Sequence, residues 1–348
     1  MASPLFIVGA NRSGTTLLRL ILNAHPRIAI PDELIYFDSQ MAGIPVERWR
    51  RPELAPADYE AFVDRFLQTV RRPLQGLDLD ALRKTILRGP HDFRRPYCCA
   101  LRAWAQHHEK ERWGEKTPGN LFYADILHEM FPDARFLYLV RDPRAGVASM
   151  QRVSFFPNDV VFNALSRRKH DVEGRARLRD AVPYPQRMRV SYEELVRKPE
   201  TTVNRVCEFI GEPFRPRMLH FHRNADRYMK DEAEKSYNAA ATHPITDDRV
   251  DAWKRLLSDE QIAAVESICQ PVMESFGYRP TDQSLSAAGR SEMAIKHLYW
   301  KLQVWRHRET RHYTVKYPLF ARTRSRIRQL ARDGFQFLRG ASPFHSSG

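Results

Sequence analysis

Four short segments carry residue types whose spacing suits the handling of a charged group. The first is Gly9-Ala10-Asn11-Arg12-Ser13-Gly14-Thr15-Thr16, with two glycines four residues apart, an arginine between them and two hydroxyls after. Where such a loop opens a helix, unpaired N–H groups and the positive end of the helix dipole face an anion. The gap matches the phosphate loop of nucleotide hydrolases, yet Thr15 stands where their lysine reaches the β- and γ-phosphates. Positive charge comes earlier, from Arg12. That points away from a triphosphate with its magnesium and toward a less charged group, such as sulfuryl, which hydrogen bonds and one or two cations can stabilise without a metal.

The second segment is Arg141-Asp142-Pro143-Arg144 and its continuation to Ser149 and Met150. An arginine closing an apolar strand lies at the edge where open α/β sheets bind ligands, and Ser149 falls about two helical turns further on. Together they can grip a second phosphate; the plain alternative is a salt bridge and a packing serine. The third, Trp113-Gly114-Glu115-Lys116-Thr117-Pro118, brings Lys116 to the same edge, where it could stabilise a bridging oxygen as a bond breaks. The fourth is Pro31-Asp32-Glu33, whose carboxylates could serve as general base toward an acceptor hydroxyl. Chemistry alone does not separate Asp32 from Glu33, and helix capping is the bland role for Asp32.

Strands must place these loops. Leu5–Val8, Arg27–Ile30, Phe136–Val140 and Met188–Tyr192 are short apolar or β-prone runs, and the continuous Phe136–Val140 run suits a parallel strand buried on both faces. Helical spacing between them, at Leu17–Leu22, over Ala57–Val70, at Leu79–Ile86 and over Pro199–Ile210, predicts βαβ units. Further helices are expected around Asp247–Leu257 and over Ser258–Phe276. The stretch through His108 reads as a helical insertion that packs and carries no catalysis.

The chain has 348 residues, 43% hydrophobic and 28% charged, which allows a sizeable core and excludes wholesale disorder. No run approaches the ~20 apolar residues of a membrane span. The N-terminus lacks a signal-peptide pattern, and four cysteines without metal-type spacing suit a reducing compartment, so a cytoplasmic protein is expected. The formal net charge is +14, of which +9 falls from Thr281 onward, so a basic extension follows a weakly basic body.

Taken together, and in this order, the segments resemble the sulfotransferase family that uses 3'-phosphoadenosine 5'-phosphosulfate (PAPS), over roughly Leu5 to Pro280. The resemblance implies a P-loop-type parallel sheet flanked by helices, with helical insertions, over residues 1–280; charge and helical spacing predict a basic helical extension over 281–348. It also implies in-line transfer of a sulfuryl group from PAPS to an acceptor hydroxyl. Arg12, Ser13, Gly14, Thr15 and Thr16 would hold the 5'-phosphosulfate, Arg141 and Ser149 the 3'-phosphate, and Tyr192 the nucleotide's vicinity. Glu33 falls at the catalytic glutamate of tyrosylprotein and heparan-type members, and Lys116, with Arg12, near the transferred group. His243 stands where a cationic residue closes over the nucleotide in relatives. No metal is implied. Arg12 and Glu33, in place of a loop lysine and a histidine base, argue for the branch that modifies glycans or proteins and against small phenols, and abundant Arg and Trp in the insertions lean toward an anionic sugar or a lipid-linked glycan. Acceptor pockets are expected from Asp38–His108 and Val153–Tyr184.

Two rivals remain at this level. One is a magnesium-dependent small-molecule kinase with Asp142 on the metal, weakened by Thr15. The other is a nucleic-acid binder using the basic tail, against which no zinc-finger spacing or aromatic RNA-binding signature is present. In the tail, Leu298, Leu302 and Trp305 share a helical face, and Ile327, Leu330, Ala331 and Leu338 recur among arginines. Packing of these faces on the body or in a homodimer is favoured over peripheral contact with an anionic membrane.

Overall fold

The computed structural model describes residues 3–37, 54–229, 238 and 242–306. Five parallel strands run in the order β2-β3-β1-β4-β5: β1 Leu5–Gly9, β2 Ile28–Ala29, β3 Arg112–Lys116, β4 Arg135–Val140 and β5 Arg187–Ser191. The helices are α1 Thr15–Asn23, α2 Pro56–Val70, α3 Leu79–Leu87, α4 Arg94–His107, α5 Ala124–Met130, α6 Pro143–Met150, α7 Val160–Lys169 and α8 Arg175–Ala181. After β5 come α9 Tyr192–Arg197, α10 Pro199–Ile210, α11 Trp253–Leu256, α12 Asp259–Phe276 and α13 Ala287–Arg306.

β1 is the pivot. It is buried along its whole length and pairs Leu5 with Gly114 of β3 on one side and with Arg135 of β4 on the other. Apolar side chains on both faces explain its unbroken hydrophobic run. Chain connections leave β1 and β4 in opposite directions, so a crevice opens beyond the strands' carboxyl ends, where the chemistry-bearing segments all lie.

Local chemistry fixes those segments. Asn23, the last residue of α1, donates to Ile30 O and accepts from Ile30 N, both at 2.8 Å, and so pins the exit of β2. Tyr36 and Phe37 then plunge into an aromatic cluster: Tyr36 stacks on Tyr97 of α4 at 4.7 Å, and Phe37 on Tyr123 at 4.9 Å. Phe62 and Phe66 of α2 close over Tyr36 edge-on. The insertion therefore anchors the loop that bears Asp32 and Glu33. Aromatic pairs of this kind add roughly 0.5–1.5 kcal/mol each beyond burial.

Two expectations need correction. The helix around Asp247–Leu257 is only the short α11, because Asp247 to Asp251 form turns that carry Arg249 toward the crevice. Among the described side chains of α13 the buried one is Trp300, 9% exposed, which joins Val160, Val161 and Leu165 of α7 and Val265 and Ile268 of α12. Leu298 and Leu302 are instead 61% and 52% exposed. They lie on the other side of the helix from that contact. The second tail segment, Ile327 to Leu338, lies outside the described residues, as does the side chain of Trp305. Among the described residues, no helix is long and apolar enough to cross a membrane.

Candidate active site

The loop after β1 begins with Gly9, where a Cβ would sit 2.6 Å from Leu139 O of the neighbouring strand. It ends with Gly14 in the left-handed region, φ 94°, capping α1. A Cβ on Gly14 would lie 2.5 Å from the Tyr192 ring, so the bare backbone is what lets that ring cover the loop. Leu18 N is the first amide to reach back, to Gly14 O, which leaves the N–H groups of Thr15, Thr16 and Leu17 without a helix carbonyl. Gly14, Thr15, Thr16 and Leu17 all line one cleft of about 490 Å³. This is an anion site built from backbone.

Arg12, with φ 65°, projects into the same cleft. Its Nε donates to Ser149 Oγ at 3.1 Å and its Nη1 to Asn238 Oδ1 at 3.0 Å. Arg141 and Ser149 both line the cleft but do not touch each other. Arg141 donates to Arg12 O at 3.1 Å and to Arg249 O at 2.6 Å, and its guanidinium lies 4.0 Å from the centroid of the Tyr192 ring. Its Nε is buried with no hydrogen-bond partner. This arginine thus has a structural task as well as a donor to spare. Burial, together with the charge of Arg167, disfavours its cationic form, and Tyr192, Glu193 and Asp142 oppose that.

Ser13 is placed differently. It is fully buried and absent from the cleft wall, its Oγ is unpartnered, and its N–H donates to Ala10 O at 3.2 Å. His243 is exposed and also outside the wall; Arg249 takes a place there instead.

Across the cleft stand Asp32 and Glu33. Lys116, the last residue of β3 and 1% exposed, lies under them, hydrogen-bonded to Glu33 Oε1 and 3.6 Å from Asp32 Oδ1. Asp32 is also 3.5 Å from the buried Arg19 of α1. The two carboxylates therefore differ. Asp32 sits between two cations, whereas Glu33 gives one oxygen to Lys116 and, among the described residues, has no partner on Oε2, with its side chain 35% exposed. Of the two, Glu33 is the more exposed toward the cleft.

Asp142 is committed elsewhere. It caps α6 through Arg144 N at 2.9 Å and engages the Arg144 guanidinium with both oxygens, at 3.0 and 2.7 Å. Among the described residues no group of three or more His, Cys, Asp or Glu is arranged to hold a metal ion.

Several wall residues fall in or beside the two stretches from which acceptor pockets are expected, although sequence singles out none of them. Thr69 and Arg72 of the helical insertion line the cleft, so that insertion does more than pack. Arg152, Val153, Phe155 and Phe156 form another part of the wall, with Phe155 51% exposed. Beneath the floor, the fully buried Arg167 of α7 donates to Asn11 O at 3.1 Å and to Arg141 O at 2.8 Å, and its Nε to Asp171 at 2.7 Å. The i, i+4 spacing of Arg167 and Asp171 was the available signal, although on a helix it usually marks a surface pair.

Comparison with known proteins agrees with this geometry. The model of the sulfotransferase family matches residues 4–216, and that of the sulfotransferase domain matches residues 176–277. Protein-tyrosine sulfotransferase A of Caenorhabditis elegans is 23% identical over 84% of this chain and 71% of its own length. Carbohydrate sulfotransferase 3 of Tetronarce californica is 23% identical over 50% of this chain, which spans 43% of that protein. Among solved structures, the sulfotransferase domain from the curacin biosynthetic pathway superposes with a TM-score of 0.59 at 21% identity, covering 81% of this chain and 99% of that one. That likeness is one of fold.

Proposed function

The chain belongs to the sulfotransferase family, and we propose that it moves a sulfuryl group from PAPS to a hydroxyl of an acceptor, with Glu33 as general base. When bound, the donor supplies an already activated sulfuryl group. The residues present fit such a donor. A loop whose N–H groups point into the cleft, flanked by Arg12, Thr15 and Thr16, suits the 5' end. Arg141, with its unpartnered Nε, and Ser149 suit the 3'-phosphate, and Tyr192 lies over the loop. Lys116 holds Glu33 oriented, while Arg12 and the loop N–H groups can stabilise negative charge that develops beside them. Glu33 Oε2 is left to receive the acceptor's proton.

The observation that carries this reading is the pairing, in one cleft, of a lysine-held carboxylate with a backbone anion site. For the acceptor, the cleft wall joins aromatic Phe155 and Phe156 to cationic Arg72 and Arg152. That wall suits the flat phenol of a tyrosine flanked by acidic residues better than a sugar, and the name of the nematode relative supports the same choice. The glycan expected from the sequence is the alternative, supported by the name of the carbohydrate relative.

Radiolabelled PAPS should transfer label to a tyrosine-containing acidic peptide, and an oligosaccharide assayed in parallel decides between the two acceptor classes. Glu33→Gln should lower turnover by about 10²–10⁴-fold with the affinity for adenosine 3',5'-bisphosphate nearly intact. Full turnover in Glu33→Gln would reassign the base.

A further inference from the structure

Directly behind the Glu33 loop lies a second carboxylate that the proposed reaction does not use. Glu115 of β3 is 0% exposed. Its oxygens accept from Thr117 N at 3.1 Å, from Thr117 Oγ1 and from Asn120 Nδ2. Thr117 Oγ1 in turn accepts from Ile35 N at 3.4 Å. The Ile35 amide is thus moored to this carboxylate through a hydroxyl, and the Leu34 N–H favours its ionised form. The turn they belong to is strained: Ile35, a β-branched residue, has φ 48°. Such a conformation persists only where the surroundings enforce it.

We propose that Glu115 is a positioning residue for Glu33, its ionised carboxylate holding the Leu34–Ile35 turn so that the Glu33 carboxylate stays over Lys116 and faces the cleft. The proposal rests on the reading of Glu33 as the base. Without its proton the carboxylate accepts from Thr117 Oγ1; with it, the Oε1 proton competes with the Thr117 hydroxyl proton and that bond must be rearranged.

Titration gives the proposal a signature. Burial pushes the Glu115 carboxyl up to about 7; the Thr117 hydrogen bond pulls it down, the Glu33 charge pushes it up, and Lys116 and the Leu34 N–H pull it down. The titratable groups facing it are Glu33 on the loop after β2, Lys116 on its own strand and Tyr97 on α4. As pH falls through about 7, Glu115 takes a proton and the mooring weakens. As pH rises through it, the turn is fixed.

The test uses the full chain and has two readouts. Exchange protection of the Leu34 and Ile35 amides, corrected for intrinsic rates, is followed from about pH 5.5 to 8.5. Turnover of the tyrosine-containing acidic peptide is followed over the same range. In the wild type both should rise together with a midpoint near 7. Glu115→Gln should abolish that limb and lower kcat by roughly ten- to a hundredfold, with nucleotide affinity within about twofold. Thr117→Val removes a bond that lowers the Glu115 value, so its limb should move to higher pH; it also carries the test if Glu115→Gln does not fold. Unchanged limbs in the soluble variant or variants would overturn the proposal, as would a fall in melting temperature alone. If Glu33→Gln retains turnover, the base assignment and this proposal fall together. An inactive Glu33→Gln beside a Glu115→Gln with wild-type kcat and limb sinks the proposal alone.

Discussion

Arg141 shows how one side chain can serve scaffold and ligand at once. Two of its donors go to the carbonyls of Arg12 and Arg249, its plane lies against Tyr192, and Nε is left over. Lysine at this position would keep the charge and lose the fork. With charge-assisted bonds worth roughly 1.5–3 kcal/mol each, Arg141→Lys should bind adenosine 3',5'-bisphosphate at least tenfold more weakly. The preference of the protein for that nucleotide over adenosine 5'-phosphate should shrink in the same variant, as titration calorimetry can read; an unchanged preference would place the 3'-phosphate elsewhere. Sequence could name Arg141, since a cation closing a buried strand is conspicuous. It could not separate Asp32 from Glu33, because that distinction depends on Arg19 and Lys116 arriving from other elements.

Elements matter here for what they hold from behind. α7 does not line the cleft, yet its Arg167 fastens the loop after β1 and the turn after β4 to one guanidinium. Room for it comes from Gly146 of α6, where a Cβ would meet Arg167 Nη1 at 2.3 Å. Arg167→Met should cost about 3–5 kcal/mol, because Asp171, fully buried, would lose its cation. Adding Asp171→Asn removes the stranded charge and should recover much of the melting temperature. Nucleotide affinity should stay low in the double variant, since the two carbonyls remain unfastened; recovery of both together would reduce Arg167 to a packing role. The strands and the helix over Pro199–Ile210 were legible because their periodicity is local. Arg167 was not, because an i, i+4 ion pair looks the same on a surface as it does in a core. The insertion's contribution of Thr69 and Arg72 was hidden for a related reason: which residues of a helix reach a distant cleft depends on its docking angle, which no local pattern encodes.

For the molecule as a whole, α13 is bound to the body by more than one contact. Trp300 fills the groove between α7 and α12, and Thr281 N and Oγ1 both donate to Glu266 of α12. A chain ending at Pro280 should therefore melt several degrees lower, and Trp300→Ala alone should reproduce much of that loss, about 3–5 kcal/mol for a large aromatic truncated in a core. Calorimetry of the two proteins checks this, and an unchanged melting temperature in Trp300→Ala would mean the extension is dispensable to the body. The strand order has a consequence in time. β1 leaves the ribosome before both of its neighbours, β3 and β4, so Leu5 must wait for Gly114 and Arg135. At roughly 5–20 residues per second, the apolar Leu5–Val8 segment is without its native partners for on the order of ten seconds. Its yield on expression should therefore respond to translation speed more than its final stability would suggest.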